Sequence, residues 1–199
     1  MDDTRRNSTL PMNLVDSRLE PARYSSWTRL TRVQAWVNRF LQNCQLLPTE
    51  RTRGELTAEE IQDASMLLIR YCQQDSFSEE ITALKQGREF PKSSKISSLT
   101  PKLDCDGVLR CDGRLRYAEK LSYDSRYPII LPRKHPVTQL IVRFHHEKLG
   151  NHTAGTNQTL SSLSARYWIV RGREEVRDCE SKCTFCQIKK ARIATLAKD

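Results

Sequence analysis

The sequence contains no run of apolar residues approaching the roughly 20 that a membrane-spanning helix requires. It also shows no charged and then apolar leader of the kind that directs secretion. Its seven cysteines, an odd number, are therefore not expected to form an extracellular disulfide framework. We expect a protein without a membrane span in a reducing, intracellular compartment, either the nucleus or the cytoplasm.

Apolar residues are also scarce, and positive charge is in excess. Apolar residues make up 38% of the 199 residues, and the mean hydropathy is −0.63. This length allows one large domain or two small ones. The 33 Lys and Arg outnumber the 24 Asp and Glu, which gives a formal net charge of +9. A basic balance favours an anionic partner, nucleic acid first, although a solvated basic surface without a partner would give the same count.

Histidine is rare, with four residues in the chain, yet three of them lie close together and a CxxC pair follows. The residues of this group are His145, His146, His152, Cys183 and Cys186. Imidazole and thiolate are the ligands that zinc prefers, and four of them complete a tetrahedral site. The stretch between is long enough for a helix, a turn and a second helix. The pattern predicts a zinc ion that clamps the two ends of a small helical unit together.

Two other readings of the CxxC pair are a redox motif and a pair of buried free thiols. A thioredoxin-type CxxC follows a strand within a βαβ unit. Here the preceding stretch, 171–182, is polar and typical of a helix. Zinc binding is therefore the preferred interpretation.

In the first half of the chain, the residue pattern predicts a flexible leader (1–24). It then predicts three helices packed as a bundle (25–90). In the first helix, apolar residues recur at helical spacing. Its expected inward stripe is Trp27, Leu30, Val33, Val37, Phe40, Leu41 and Cys44. Thr57 and Glu60 have the capping-box spacing that starts a second helix. A shorter third helix is expected over 77–87, with Gly87 as its stop.

Residues 91–134 predict a linker and short strands. Asp106-Gly107 between short apolar runs indicates a β-hairpin, and residues 127–132 indicate a third strand bounded by prolines. Cys105 and Cys111 could face each other across the hairpin. They are interpreted as incidental thiols, with a second metal site as the alternative.

Residues 135–192 predict further helices and residues 193–199 a tail. Pro136 suits the first position of a helix that runs into the histidines. A second helix is expected to begin at Thr156 or Asn157 and to include Tyr167, and a last one covers 174–182. The expected fold class is mostly α with a small β-hairpin region, an α+β fold.

The chain resembles a known family over residues 25–192. The matching motifs are His146…His152, Gly155-x-x-x-Thr159-Leu160, Arg166-Tyr167-Trp168-Ile169, Gly172-Arg173-x-x-Val176 and Cys183-x-x-Cys186. They resemble the zinc-binding N-terminal domain of retroelement integrases, in particular those of BEL/Pao-type LTR retrotransposons. Motifs at residues 27–37, 109–116 and 127–132 resemble the segment between ribonuclease H and integrase in the same polyproteins.

The resemblance implies a three-helix unit related to helix-turn-helix domains and folded around one structural zinc ion. His146 and His152 would supply the imidazoles, and Cys183 and Cys186 the thiolates. His145 is an alternative to His146. An extra residue at Thr153-Ala154 departs from the family pattern, and Cys179 is expected to be buried rather than bound to metal.

Integrase catalysis requires two Asp and one Glu that hold two metal ions, in a core that follows the zinc domain in the family. No Asp of this chain has a Glu at the spacing of that core: Asp63 would pair with Leu99, Asp112 with Lys148 and Asp124 with Leu160. The chain also ends soon after Cys186, and no acidic cluster suited to ribonuclease H appears in residues 1–100. We therefore expect a protein that is not an enzyme.

Two function classes follow. The first is a module that binds DNA or RNA through phosphate contacts, with basic segments at 110–143 and 182–198. The candidate contacts are Arg171, Arg173, Lys189, Lys190 and Arg192. The second is an interaction module that forms a homo-oligomer or docks onto an integrase or reverse transcriptase partner.

Overall fold

The computed structural model of the chain describes residues 19–148, 152 and 155–196, and the side chains of these except 114, 115, 190 and 192–196. Within them lie eight α-helices and one four-stranded sheet, which confirms the predicted α+β class. The helices are α1 (Trp27–Cys44), α2 (Ala58–Ser76), α3 (Ser78–Lys85), α4 (Tyr123–Arg126), α5 (Pro136–Lys148), α6 (Thr156–Ser164), α7 (Gly172–Lys182) and α8 (Thr184–Leu196). The strands are β1 (Pro101–Leu103), β2 (Leu109–Cys111), β3 (Ile129–Leu131) and β4 (Tyr167–Ile169). Residues 1–18 of the expected leader and 197–199 of the expected tail lie outside the described residues.

Helix α1 buries a different face from the one predicted. Its buried residues are Trp27, Leu30, Thr31, Gln34, Ala35 and Arg39. Phe40 and Cys44 are exposed, so their predicted burial is wrong. Apolar residues lie on two faces of α1. The face that packs against the rest of the protein ends at Arg39, whose guanidinium forms an ion pair with Glu60.

Arg39 joins α1 to the start of α2. Its Nε donates to Glu60 Oε1 at 2.6 Å, and Nη1 and Nη2 donate to the carbonyl oxygens of Gly54 and Glu55. Glu60 also completes the predicted capping box: Thr57 N donates to its carboxylate, and Glu60 N donates to Thr57 Oγ1. The hydrogen bond from Arg39 is the main cause that lowers the pKa of Glu60 to about 2.

The predicted hairpin is present, and its turn carries Gly107 at φ 72°, a left-handed conformation that glycine adopts without strain. Strands β1 and β2 pair antiparallel, with Leu103 opposite Leu109. Cys111 is buried opposite Pro101, whereas Cys105 is exposed. The two cysteines therefore do not face each other across the hairpin, because Cys105 falls in the turn.

The sheet has the order β1-β2-β3-β4. Strand β3 is antiparallel to β2 and parallel to β4. The prediction that Tyr167 lies in a helix is wrong. In β4, Tyr167 and Ile169 point into the core and Trp168 points outward, the alternation of a strand with one buried face.

One hydrophobic core spans both halves of the chain. Leu30, Leu68 and Ile69 from the first half lie in the same buried cluster as Ile141 and Leu163 from the second. Leu19 and Tyr24 pack against this cluster as well. A smaller cluster of Phe77, Ile81, Ile96, Leu109, Cys111 and Ile130 completes the core. Among the described helices, none is both long and apolar enough to cross a bilayer.

Candidate metal centre

The two adjacent histidines at the end of α5 face different neighbours. His146 follows Val142 by four residues, so it lies on the same buried face of the helix, and its side chain is 1% exposed. His145 turns towards α6, where its Nδ1 lies 2.9 Å from Ser162 Oγ and its ring packs edge-on against Tyr167. Of these two histidines, only His146 belongs to the metal-binding cluster.

His152 lies between α5 and α6 with φ 62°, a left-handed conformation that is uncommon for a residue other than glycine. Its ring stacks on Phe185, with centroids 4.7 Å apart and the planes 7° from parallel. This stacking orients the imidazole towards the CxxC pair. The extra residue at 153–154 lies outside the described residues.

The two cysteines lie where α7 ends and α8 begins. Val176, Cys179 and Cys183 share one face of the α7 spiral at i, i+3 and i+7 spacing, and Cys183 is the residue that ends the helix. Cys186 follows in the first turn of α8 and is buried. The junction of α7 and α8 therefore carries both thiols of the CxxC pair.

The four side chains converge. Cys186 Sγ lies 3.3 Å from His146 Nε2, and Cys183 Sγ lies 3.3 Å from His152 Nδ1. All four ligand atoms lie within 4.8 Å of one another. Zinc–ligand bond lengths give edges of about 3.3–3.8 Å in a tetrahedral site with two nitrogens and two sulfurs. The residues therefore fit one zinc ion after small shifts of the side chains.

The protonation state of His146 suits a metal. Burial, assisted by the nearby His152, lowers the pKa of His146, so its imidazole is neutral and offers a lone pair near neutral pH. Cys179 lies one turn before Cys183 but is not part of the cluster. Cys179 is half-buried rather than buried as expected, and burial raises its pKa to about 11, so this thiol stays protonated.

The predicted nucleic-acid contacts lie on the same unit as the metal ligands. Arg171, Arg173 and Lys189 are exposed, whereas the side chains of Lys190 and Arg192 lie outside the described residues. Arg177, which the prediction omitted, is also exposed and follows Arg173 at i+4 spacing, the signal that places both on one face.

Two arginines of the predicted basic segment 110–143 are engaged within the fold. Arg110 is buried and pairs with Asp104 and Asp124. Arg133 pairs with Glu174 and Asp178 of α7. These guanidinium groups hold elements together, so the free positive charge of that segment is smaller than its sequence indicates.

Comparison with known proteins agrees with the geometry. Residues 133–192 match the family model described as "Integrase zinc binding domain". Comparisons with curated proteins and with solved structures returned no match. The chain thus carries an integrase zinc-binding domain, which confirms zinc as the predicted cofactor. The residues positioned to hold the ion are His146, His152, Cys183 and Cys186.

Proposed function

We propose that this chain is a non-catalytic, nucleic-acid-associated module of a BEL/Pao-type retroelement polyprotein. In this proposal the zinc ion has a structural role, and exposed basic side chains on the zinc-binding unit contact phosphate. The setting is intracellular, in the nucleus or the cytoplasm. One observation carries the proposal. A closed set of four protein ligands fixes the junction of α7 and α8, and both helices carry exposed basic residues.

The ligand set supports a structural ion. Four protein ligands complete a tetrahedron, whereas a catalytic zinc keeps one position for water or substrate. When bound, the ion supplies a crosslink and therefore folding free energy. His146 fixes the end of α5, and Cys183 and Cys186 fix the junction of α7 and α8. The metal ligands thus determine how the basic side chains of α7 and α8 are presented.

The charged surface supports phosphate contact without sequence readout. Arg173 and Arg177 lie on one exposed face of α7, and Lys189 is exposed on α8. Lysine and arginine contacts to phosphate release counterions, so the affinity of such a surface falls steeply with salt. Arg171 contributes less free charge, because it lies 4.0 Å from the Glu174 carboxylate.

A titration of the zinc-loaded chain with duplex DNA at several salt concentrations tests this proposal. We expect the logarithm of the affinity to fall linearly with the logarithm of the salt concentration. A parallel titration with single-stranded DNA and with RNA identifies the preferred nucleic acid. If the chain binds none of these nucleic acids at low salt, the proposal is wrong.

A second candidate function is self-association or docking onto an integrase or reverse transcriptase partner. The surface of α1 and the following turn favours it, because large apolar side chains are exposed there. Trp36 is 46% exposed, Phe40 65% and Leu47 66%. Native mass spectrometry with and without a chelator gives the zinc count and the assembly state together. A zinc-loaded monomer at all concentrations removes self-association.

A further inference from the structure

Among the described residues, the second ring nitrogen of His146 has no hydrogen-bond partner. Its Nε2 faces Cys186 Sγ and is the nitrogen positioned for the metal. A neutral imidazole that binds metal through Nε2 carries its proton on Nδ1. This Nδ1 is buried and has no hydrogen-bond partner among the described residues. A buried N–H donor without an acceptor is costly, so the site requires an acceptor that is close to this atom.

The side chain of Glu180, on α7, has a carboxylate oxygen that needs a hydrogen-bond donor. Its Oε2 accepts a hydrogen bond from Thr156 Oγ1 at 2.8 Å. Its Oε1 is buried and, in the described part of the chain, is without a donor. The Glu180 backbone also belongs to the turn that delivers a ligand, because Cys183 N donates to the Glu180 carbonyl oxygen at 3.2 Å.

The helix packing brings this carboxylate and the ring to the same site. Glu180 lies one turn before Cys183 on α7, and the ligand atoms of Cys183 and His146 lie within 4.8 Å of each other. Helix α5, which carries His146, packs against α7. Glu147 follows His146 directly in the sequence, but it is exposed. Of these two carboxylates, Glu180 has the buried oxygen that lacks a donor among the described residues.

We propose that Glu180 is a positioning residue of the zinc site: when zinc is bound, its Oε1 accepts the Nδ1–H of His146 while Thr156 holds Oε2. A carboxylate in this role fixes the tautomer and the orientation of a metal-binding imidazole and increases its basicity. The hydrogen-bonded series Thr156–Glu180–His146 joins the first residue of α6 to α7 and to the end of α5. This inference rests on the zinc site and is independent of nucleic-acid binding.

The first test measures zinc affinity of the full chain by competition with a chromophoric chelator. We expect Glu180→Ala to bind zinc about 10–100-fold more weakly, the range observed for such partners. Glu180→Gln should recover part of the loss, because its amide oxygen still accepts a hydrogen bond. Glu147→Ala is the matched control, since it removes a nearby charge but no buried acceptor.

The affinities distinguish a hydrogen bond from a general effect of charge. Equal losses in Glu180→Ala and Glu147→Ala, or a Glu180→Gln variant as weak as Glu180→Ala, overturn the proposal. Thr156→Val keeps Glu180 but removes the donor to its Oε2. Its zinc affinity should lie between those of the wild type and Glu180→Ala. A zinc affinity equal to that of the wild type contradicts the proposed hydrogen-bonded series.

The second test is spectroscopic, and its deciding measurement is made on the wild-type chain. In the zinc-loaded wild-type chain with 15N-labelled histidine, the His146 Nδ1–H should give a slowly exchanging proton signal shifted by a hydrogen bond to carboxylate. In Glu180→Gln the signal should remain but move. A wild-type His146 that carries its proton on Nε2, or whose Nδ1–H exchanges rapidly, overturns the proposal.

Discussion

Gln73 and Leu109 exchange two hydrogen bonds inside the core. The backbone N–H of Leu109 donates to Gln73 Oε1 at 2.8 Å, and Gln73 Nε2 donates to the Leu109 carbonyl oxygen at 2.9 Å. Nε2 also donates to the carbonyl oxygen of Ile130 at 2.7 Å. The pairing of β2 with β3 has one register pair, Arg110 with Ile129. The side chain of Gln73 therefore completes a sheet whose own ladder is short.

Replacing Gln73 by Leu should destabilise the zinc-loaded chain by at least about 2 kcal/mol, because it leaves buried backbone groups of β2 and β3 unpaired. The measurement is the free energy of unfolding in urea. Gln74→Leu is the matched control, since Gln74 is the next residue of α2 and is exposed. Similar losses in the two variants would show that the buried amide has no special role.

The assignment of the metal ligands predicts which variants of the chain lose zinc. Cys183→Ser and His152→Ala should each abolish stoichiometric zinc and unfold residues 136–190, because the ion crosslinks the ends of this stretch. Cys105→Ser is the control, since this thiol is exposed and lies outside the cluster. Elemental analysis of the purified proteins gives the zinc count. Full zinc retention in the double variant Cys183→Ser, Cys186→Ser would falsify the ligand assignment.

The two adjacent histidines should respond differently to substitution. His146→Ala should lose zinc, because its Nε2 is a ligand atom. His145→Ala should keep stoichiometric zinc and lose only the stability that comes from its contacts with Ser162 and Tyr167. Native mass spectrometry of both variants decides the matter. A zinc-free His145→Ala protein would assign the ligand to the other imidazole.

The lowered pKa of Glu60 predicts that the free energy of unfolding depends on pH. Its pKa is lowered in the folded chain to about 2 from an ordinary value of 4.5. The stabilisation from its ion pair with Arg39 is therefore fully present above pH 4.5 and is lost as the pH falls towards 2. At neutral pH, Glu60→Gln should unfold more easily than the wild type by about 1–3 kcal/mol. The difference should shrink on acidification through this window, and a difference independent of pH contradicts the assignment.

The basic residues of α8 predict weaker nucleic-acid binding on charge reversal. Lys189→Glu together with Lys190→Glu should lower DNA affinity and reduce its salt dependence, with helicity unchanged by circular dichroism. Lys92→Glu with Lys95→Glu changes the net charge equally at two exposed positions outside the zinc-binding unit and serves as the control. Equal effects of the two pairs would indicate a response to net charge alone.

Several features could be predicted because the signal is local. The Asp106-Gly107 turn, the capping box of Thr57 and Glu60 and the start of α5 at Pro136 depend on a few neighbouring residues. The metal ligands were predictable because His and Cys at this spacing have few other uses. Helical periodicity also favours His146 over His145, since His146 continues the buried face after Val142.

The features that the sequence did not reveal depend on tertiary contacts. Strand β4 covers three residues and is stabilised by its pairing with β3, which the local pattern does not show. The buried face of α1 is decided by Arg39, whose burial requires the distant Glu60. The role proposed for Glu180 depends on atoms of three helices, although its position on the inward side of α7, one turn before Cys183, is a signal that could have indicated it.

The continuous core has a consequence for how the metal-binding region can be studied. Strand β4 pairs with β3, and its Tyr167 and Ile169 lie with Ile141 of α5 in one buried cluster that includes Leu30 and Leu68. The stretch matched by the family model, 133–192, contains neither β3 nor the first two helices. We therefore expect the excised stretch to expose these apolar side chains to water and to aggregate. In that case the segment matched by the family model would be smaller than the unit that folds independently.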